Sequence, residues 1–540
     1  MDEQVRPRRM KYWGWGYEDN AETPQHLVGN VEKYFAKFFG VSEFNTLPVP
    51  RLVDVELRKP RLRIPEKLRA FCTTDHEERA RHSLGRSFLD YVRIFEGQYD
   101  NPPDVVALVR SERDIMDVID WAQGVNAAVI PFGGGTSVTG GVEPVVGEKY
   151  DAVITIDMAL LNKVLEIDSI GRCARIQAGA AGPDLETQLR SYGYSLRHYP
   201  QSFQHSTLGG WISTRSGGHF ATLHTHIDEF VESVRVITPN GVLETRRMPG
   251  DGAGPDPDRL FMGAEGSLGI ITEAWVEIQD RPSHRASIAV FFDDFLKGSE
   301  AVRQISQAGL YPSQCRIIDA EEARVNYVSD KKKNILFLGF ESDDHSVAAW
   351  MDRALEICAD HGGQFDKNVL KQPNSHKEAE QGRWRDIFLE TSYYREITTP
   401  REIIYGTVET SITWDKFPDL YRSVMEVTPR AMQEATGHEG SLSCRFVYVY
   451  PDGPAPYWSF YCLGNHGRLM EQWKHVKVAA TNEFLAHGGS ITHHTSVGRD
   501  HMPWLNEQTP DLYRQVLRST KRTLDPKWIM NPGVIIPPAH

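Results

Sequence analysis

"PFGGGTSVTGG", residues 131 to 141, carries five glycines and three hydroxyl residues directly behind the apolar run "AAVI" at 127 to 130. Such a run, stopped by such a loop, reads as a buried strand that ends in bare backbone. Residues without Cβ let successive backbone N–H groups approach an anion and point at it. Two phosphate loops do not fit. The P-loop needs Gly-Lys-Ser/Thr after its glycines, and no lysine follows here. The dinucleotide fingerprint needs glycines that open a helix, whereas "TSVTGGVEPVVGEKY" brings Pro144 and further glycines. On this loop alone, a glycine-rich turn without a ligand stays open.

Outward from the loop the order is regular. "VVALVR" (105 to 110) reads as a buried strand. Ser111 and Asp114 then form a capping box for a helix with Ile115, Val118, Ile119 and Ala122 on one face. "DAVITIDM" (151 to 158) and "ARIQAGA" (174 to 180) are further β-rich runs, and Pro183 opens a helix closed by Gly193. The fold class is α+β. Near the other end, Leu469, Trp473, Val476, Ala480 and Phe484 make one helical stripe ended by Gly488 and Gly489, so "SITHHTSVG" is a loop leaving a helix.

Two more segments share the chemistry of the first loop. "PQSFQHSTLGGWISTRSGG" (200 to 218) combines hydroxyl residues, paired glycines and Arg215, which suits wrapping a pyrophosphate and a flat ring. "GAEGSLGIITEAWVEI" (263 to 278) sets a glycine-serine turn before a strand.

Composition bounds the rest. A chain of 540 residues, 40% hydrophobic and 25% charged, has room for two or three cores. A net charge of -13 supplies no general field for nucleic acid. The six cysteines hold no C-x-x-C pair, which argues against a zinc ribbon and a disulfide framework and for a reducing compartment. No run of about 18 apolar residues is present, and the charged N-terminus has no apolar core of a signal peptide, so the expectation is a soluble, cytoplasmic protein. "RPRRMKYWGWGY" mixes cations with aromatics: it reads as an arm packed on the fold, with peripheral membrane contact as the alternative.

Six segments in order, "KYWGWG", "IPFGGGTSV", "STLGGWISTRSGG", "FMGAEGSLGIITEA", "ETSITWDKF" and "GGSITHHTSVGRDHMPWL", resemble flavoproteins of the vanillyl-alcohol oxidase superfamily. Within it the chain resembles the alkyldihydroxyacetonephosphate synthase family over nearly its whole length. The resemblance implies a PCMH-type FAD-binding domain at 99 to 279, after a largely helical N-terminal arm (1 to 98). A substrate cap would follow at 280 to 486, and a C-terminal segment (487 to 540) would return to the flavin. It implies FAD contacts from Pro131, Gly133, Gly134, Gly135, Thr136 and Ser137, from Gln201, Ser202, His205, Ser206 and Thr207, from Ser213, Thr214, Arg215 and Ser216, and from Glu265, Ser267, Leu268, Gly269 and Ile271. A small-molecule or lipid-like substrate and a homodimer are the expected partners.

The resemblance also implies catalytic positions. Arg395 lies 14 residues before "ETSITWD" and would bind a phosphate or carboxylate through its fork. His493 and His494 would include the acid or base. The family's tyrosine falls at Trp458, with Tyr457 and Tyr461 nearby, and indole cannot replace phenol as an acid or base. Thr495 stands where the family has a third histidine. His219, His224 and His226 are further departures, expected to line the flavin pocket rather than bind metal. Two enzyme reactions stay open, exchange of an acyl chain for a fatty alcohol or oxidation of an alcohol or 2-hydroxy acid, as does a binding protein that retains FAD.

Overall fold

The computed structural model describes residues 8 to 20, 22 to 220, 222, 225 to 371 and 387 to 537. The apolar run ahead of the glycines forms the strand Ala127–Phe132, buried on both faces. It pairs in parallel with Ala152–Asp157, which pairs in parallel with Val105–Leu108, and Cys72–Thr73 closes the sheet antiparallel. Burial on both faces explains why these strands read as continuous apolar runs. The helix Glu112–Gly124 bridges two of them, with its capping box formed and Ile115, Val118, Ile119 and Ala122 buried.

A second, antiparallel sheet runs in the order Val164–Asp168, Cys173–Gln177, Ile270–Glu277, Val231–Thr238, Gly241–Glu244. Against it packs Leu208–Thr214, a helix inside the stretch that composition reads as a wrapping loop. Thr207 caps it by accepting from Gly210 N. A Cβ on Gly209 would stand 2.8 Å from the Ala178 methyl, so glycine here lets helix and strand approach closely.

The third sheet has six antiparallel strands in the order His284–Phe292, Asn334–Ser342, Gln314–Ile318, Ser441–Val449, Pro454–Leu463, Ile403–Glu409. Strand alternation divides its residues. Ile404, Val408, Phe446, Trp458 and Phe460 face a core that includes residues of the helices Phe417–Thr436 and Leu469–Ala486. Tyr405, Arg445 and Tyr457 face the glycine loops. The stripe Leu469, Trp473, Val476, Ala480 and Phe484 is buried as its spacing requires.

The N-terminal segment differs from a largely helical arm. It holds the α-helices Gln25–Phe39, His76–Arg81 and Phe88–Glu96, but most of 40 to 71 lies outside helix and strand. Pro48, Pro50, Pro60 and Pro65 explain this, since each fixes its own φ and biases the preceding residue away from helix. All six cysteines are free and buried. Among the described residues no helix is long and apolar enough to cross a membrane.

Candidate active site

The parallel strands release the chain at their carboxyl ends, where open α/β sheets place ligands. There Gly133 to Gly135 line one cavity of about 2130 Å³ on the side of Tyr17, Asp157 and His205, and the loop from Gly133 walls two further cavities, a smaller and a larger. The smaller, about 630 Å³, is lined by Pro131, Gly133, Ser137, Thr207, Ser213, Thr214, Glu265, Gly269 and Ile271, with Met158 and Ala178 as apolar walls. The larger, about 1300 Å³, adds Gly134, Gly135, Thr136, Gln201, Ser202, Ser206 and Ser216, and is closed by the third sheet and residues 494 to 496.

The backbone amides of Gly133 to Val138 make no hydrogen bond to any described part of the chain. A row of unsatisfied donors, flanked by the hydroxyls of Ser137, Thr207 and Ser213 and an apolar slot, fits a dinucleotide's pyrophosphate and ring. The site therefore fits FAD. Close loop packing also fixes one glycine: a Cβ on Gly134 would lie 1.8 Å from the His205 carbonyl oxygen. Gly134→Val is expected to force the two loops apart and leave a folded protein that takes up no FAD. Flavin absorbance after dialysis against FAD checks this, and full flavin uptake by the variant would refute it.

Four expected cofactor residues do not reach these two cavities. Arg215 caps the Leu208–Thr214 helix in the left-handed region at φ 51°, which turns its side chain to Asp228 at 3.0 Å. Leu268 is core, and Ser267 Oγ donates to the Ala264 carbonyl at 2.7 Å. His205 instead lines the third cavity with Gly133 to Gly135, edge-on between Trp15 and Tyr17 with centroids 5.0 and 4.6 Å away. Burial pushes its pKa down to about 3, so the ring is neutral.

Of the expected catalytic residues, Arg395 and His494 line the larger cavity, whereas His493 stands behind His494 and Trp458 faces away. Trp458 is fully buried and stacks on Phe484 at 5.5 Å. Register decides this. Tyr457 pairs with Glu409 on one side and Arg445 on the other, so these three share a row on the cavity face. Trp458 pairs with Val408 and Cys444 in the next row, which faces the core. The phenol on the cavity face is therefore that of Tyr457, the neighbour of 458. Burial raises the Tyr457 phenol, which keeps it protonated as a donor.

Glu409, 4% exposed, organises the loop after the long helix. Its Oε1 accepts from the backbone N–H groups of His493, His494 and Thr495 at 3.2, 2.9 and 2.8 Å, and from the hydroxyls of Thr492 and Thr495 at 3.0 and 2.7 Å. Its Oε2 stands 2.6 Å from His494 Nδ1. Burial opposes ionisation, but the His494 ring and these donors outweigh it and hold the carboxyl well below its ordinary range. A carboxylate only accepts, so His494 Nδ1 carries hydrogen, and Nε2 is the ring nitrogen that Glu409 leaves free. Arg395 Nε is buried without a hydrogen-bond partner among the described residues, and the guanidinium lies 5.3 Å from the Tyr405 ring centroid. An imidazole, a phenol and an under-satisfied guanidinium thus share one cavity with the glycine loop.

Sequence reasoning missed Glu409, Tyr405 and Arg445. Glu409 had a signal, as the first residue of "ETSITWD". His219 and His226 do not line the two cavities; they stand behind the wall, near Arg316 and His493 respectively. His224 lies outside the described residues.

Residues 103 to 246 match the FAD binding domain family, and residues 281 to 535 match the FAD linked oxidases C-terminal domain. Alkyldihydroxyacetonephosphate synthase of Dictyostelium discoideum is 30% identical, covering 88% of this chain and 79% of its own. The synthase of Trypanosoma brucei brucei is 28% identical, covering 98% and 92%. A solved alkyldihydroxyacetonephosphate synthase structure superposes with TM-score 0.80 at 26% identity, covering 97% of this chain and 98% of that one. With the cofactor cradle and the near-complete coverage, the chain belongs to the alkyldihydroxyacetonephosphate synthase family of FAD-dependent enzymes.

Proposed function

We propose that this enzyme exchanges the acyl chain of acyl-dihydroxyacetone phosphate for a fatty alcohol, the reaction its relatives are named for. The observation that carries this reading is the pairing of Arg395, with its unpartnered Nε, and His494, with its Nδ1 held against Glu409, in one cavity beside the FAD cradle. FAD, when bound, supplies electrophilic and redox chemistry that no side chain offers. The chain's own residues do the rest. Arg395 binds the substrate phosphate through charge-assisted hydrogen bonds. His494 Nε2 takes the proton of the incoming alcohol, and the Tyr457 phenol donates to the oxygen of the departing carboxyl group. The balance closes: an ester and an alcohol give an ether, a carboxylate and a proton, with no net redox. Free, buried cysteines support a reducing, cytoplasmic setting.

The test is incubation of the FAD-loaded enzyme with acyl-dihydroxyacetone phosphate and labelled fatty alcohol. Label in the glycerone ether without bleaching of the flavin supports the exchange. Bleaching by an alcohol or 2-hydroxy acid, with no label transferred, overturns it in favour of oxidation. Arg395→Lys keeps the charge but loses the fork. A hydrogen bond to a charged group contributes about 1.5 to 3 kcal/mol, so kcat/KM for the phosphate substrate is expected to fall roughly 10- to 100-fold. FAD content and melting temperature stay unchanged, and unaltered kinetics would remove Arg395 from the substrate site.

A further inference from the structure

One corner of the larger cavity holds polar groups with nothing to bond. The helix Phe88–Glu96 brings Tyr91 there, and the short helix Tyr394–Thr398, packed against it, brings Arg395. Trp15 and Arg86 belong to the same wall. Tyr91 is 1% exposed, and its hydroxyl has no hydrogen-bond partner among the described residues. Burying a hydroxyl without a partner is costly, and a phenylalanine of the same shape would avoid that cost. Arg395 Nε is in the same condition. Two unsatisfied buried donors on one cavity wall mark a place for an acceptor that comes from outside the chain.

The charges around the phenol say which acceptor. Those that act most strongly on it are Arg86, Glu396, Arg395 and Asp90. Both carboxylates have cations of their own, since Lys11 Nζ stands 2.8 Å from Glu396 and the Arg93 guanidinium 2.8 Å from Asp90. Neither Arg86 nor Arg395 has a carboxylate partner among the described residues. Arg86 donates instead to the carbonyls of Gly14, Gly85 and Lys11 at 3.2, 2.7 and 2.8 Å, so neutral groups hold it and its charge stays uncompensated. Burial outweighs both arginines and raises the Tyr91 phenol, which keeps it protonated as a donor. Two such cations and two free donors match a dianion with several acceptor oxygens. A phosphate monoester is one, whereas the carboxylate of a 2-hydroxy acid carries a single charge.

We propose that the Tyr91 hydroxyl is a further substrate-binding group, which donates to a phosphate oxygen of the substrate beside Arg395. The inference rests on the phosphate position proposed above for Arg395 and names its second donor. Arg86 adds charge from behind without contact, because its N–H groups are already taken by the three carbonyls. Tyr91 makes and breaks no bond; it selects phosphate esters over unphosphorylated carbonyl compounds.

Tyr91→Phe removes one oxygen and separates binding from architecture. The probe is dihydroxyacetone phosphate, titrated calorimetrically into the FAD-loaded enzyme without alcohol, so that no turnover is needed. Its Kd is expected to rise roughly 10- to 100-fold, the loss of one hydrogen bond to a charged group, while the Kd for FAD stays at the wild-type value. The melting temperature of the substrate-free variant should hold or rise, because an unpartnered buried hydroxyl has been removed. A hydroxyl that served only the fold would lower it and leave the probe's affinity alone. Unchanged probe binding, weakened FAD binding or a lower melting temperature in Tyr91→Phe would each overturn the assignment, as would a wild type that does not bind the probe. A wild type that binds the probe, loses that affinity on Tyr91→Phe and yet transfers no labelled alcohol leaves the subsite standing and defeats the exchange reaction instead.

Discussion

His494→Ala is expected to lower turnover by roughly 100- to 10,000-fold, the range over which a placed acid or base contributes, while the protein stays yellow. The argument is positional. His494 presents Nε2 to the cavity only because Glu409 occupies the other side of the ring at 2.6 Å. No other imidazole lines the larger cavity among the described residues, so no neighbour takes over. FAD is expected to be held by the amides and hydroxyls across the cavity rather than by this ring. Single-turnover kinetics with FAD content measured in parallel separates the two, and an alanine variant that turns over normally would make the His-His segment structural.

The second large effect is expected at Glu409. Replacing it by leucine leaves three backbone N–H groups and two threonine hydroxyls without their acceptor and a histidine without its partner. Removing one member of a buried ionic network costs about 3 to 5 kcal/mol, so the melting temperature should drop by several degrees and activity should vanish with the loop geometry. Glu409→Gln keeps an acceptor oxygen and should fold better yet remain slow, because an amide does not hold the His494 tautomer as a carboxylate does. The same carboxyl governs acid stability. Its folded pKa lies well below the ordinary glutamate value of about 4.3. Its stabilisation is therefore complete above that ordinary value and is lost as pH falls from there through the folded value. Wild type should lose more stability than Glu409→Gln across that acid window in thermal melts. Parallel curves for the two would contradict the assignment.

Much of the fold was legible because local chemistry and tertiary environment agree in these segments. The capping box at Ser111, the stripe from Leu469 to Phe484 and the strand ahead of Gly133 each carry their own pattern. Where they diverge, the sequence is silent. "YW" at 457 and 458 suits either face of a strand, and only pairing with Val408 and Cys444 sends the indole inward. The glycines at 209 and 210 weaken a helix locally, yet close packing on Ala178 and the Thr207 cap produce one. Glu409 bonds residues more than 80 positions away, and His226 meets a partner 267 positions away, distances at which no periodicity reports.

The C-terminal strand-like segment has a consequence for how the holoenzyme is made. Val129 N–H donates to the Ile529 carbonyl at 2.7 Å, and Asn531 Nδ2 donates to the carbonyls of Gly141 and Glu265 at 3.0 and 2.7 Å. The cofactor cradle is thus sealed by a side chain 390 residues downstream of the loop it holds. Closing such a long loop is entropically costly and slow relative to local structure. A nascent chain on the ribosome shows the glycine loop long before its seal has been synthesised, so flavin capture belongs after translation, and a chain truncated ahead of Ile529 should emerge as an apoprotein however well its cofactor half folds.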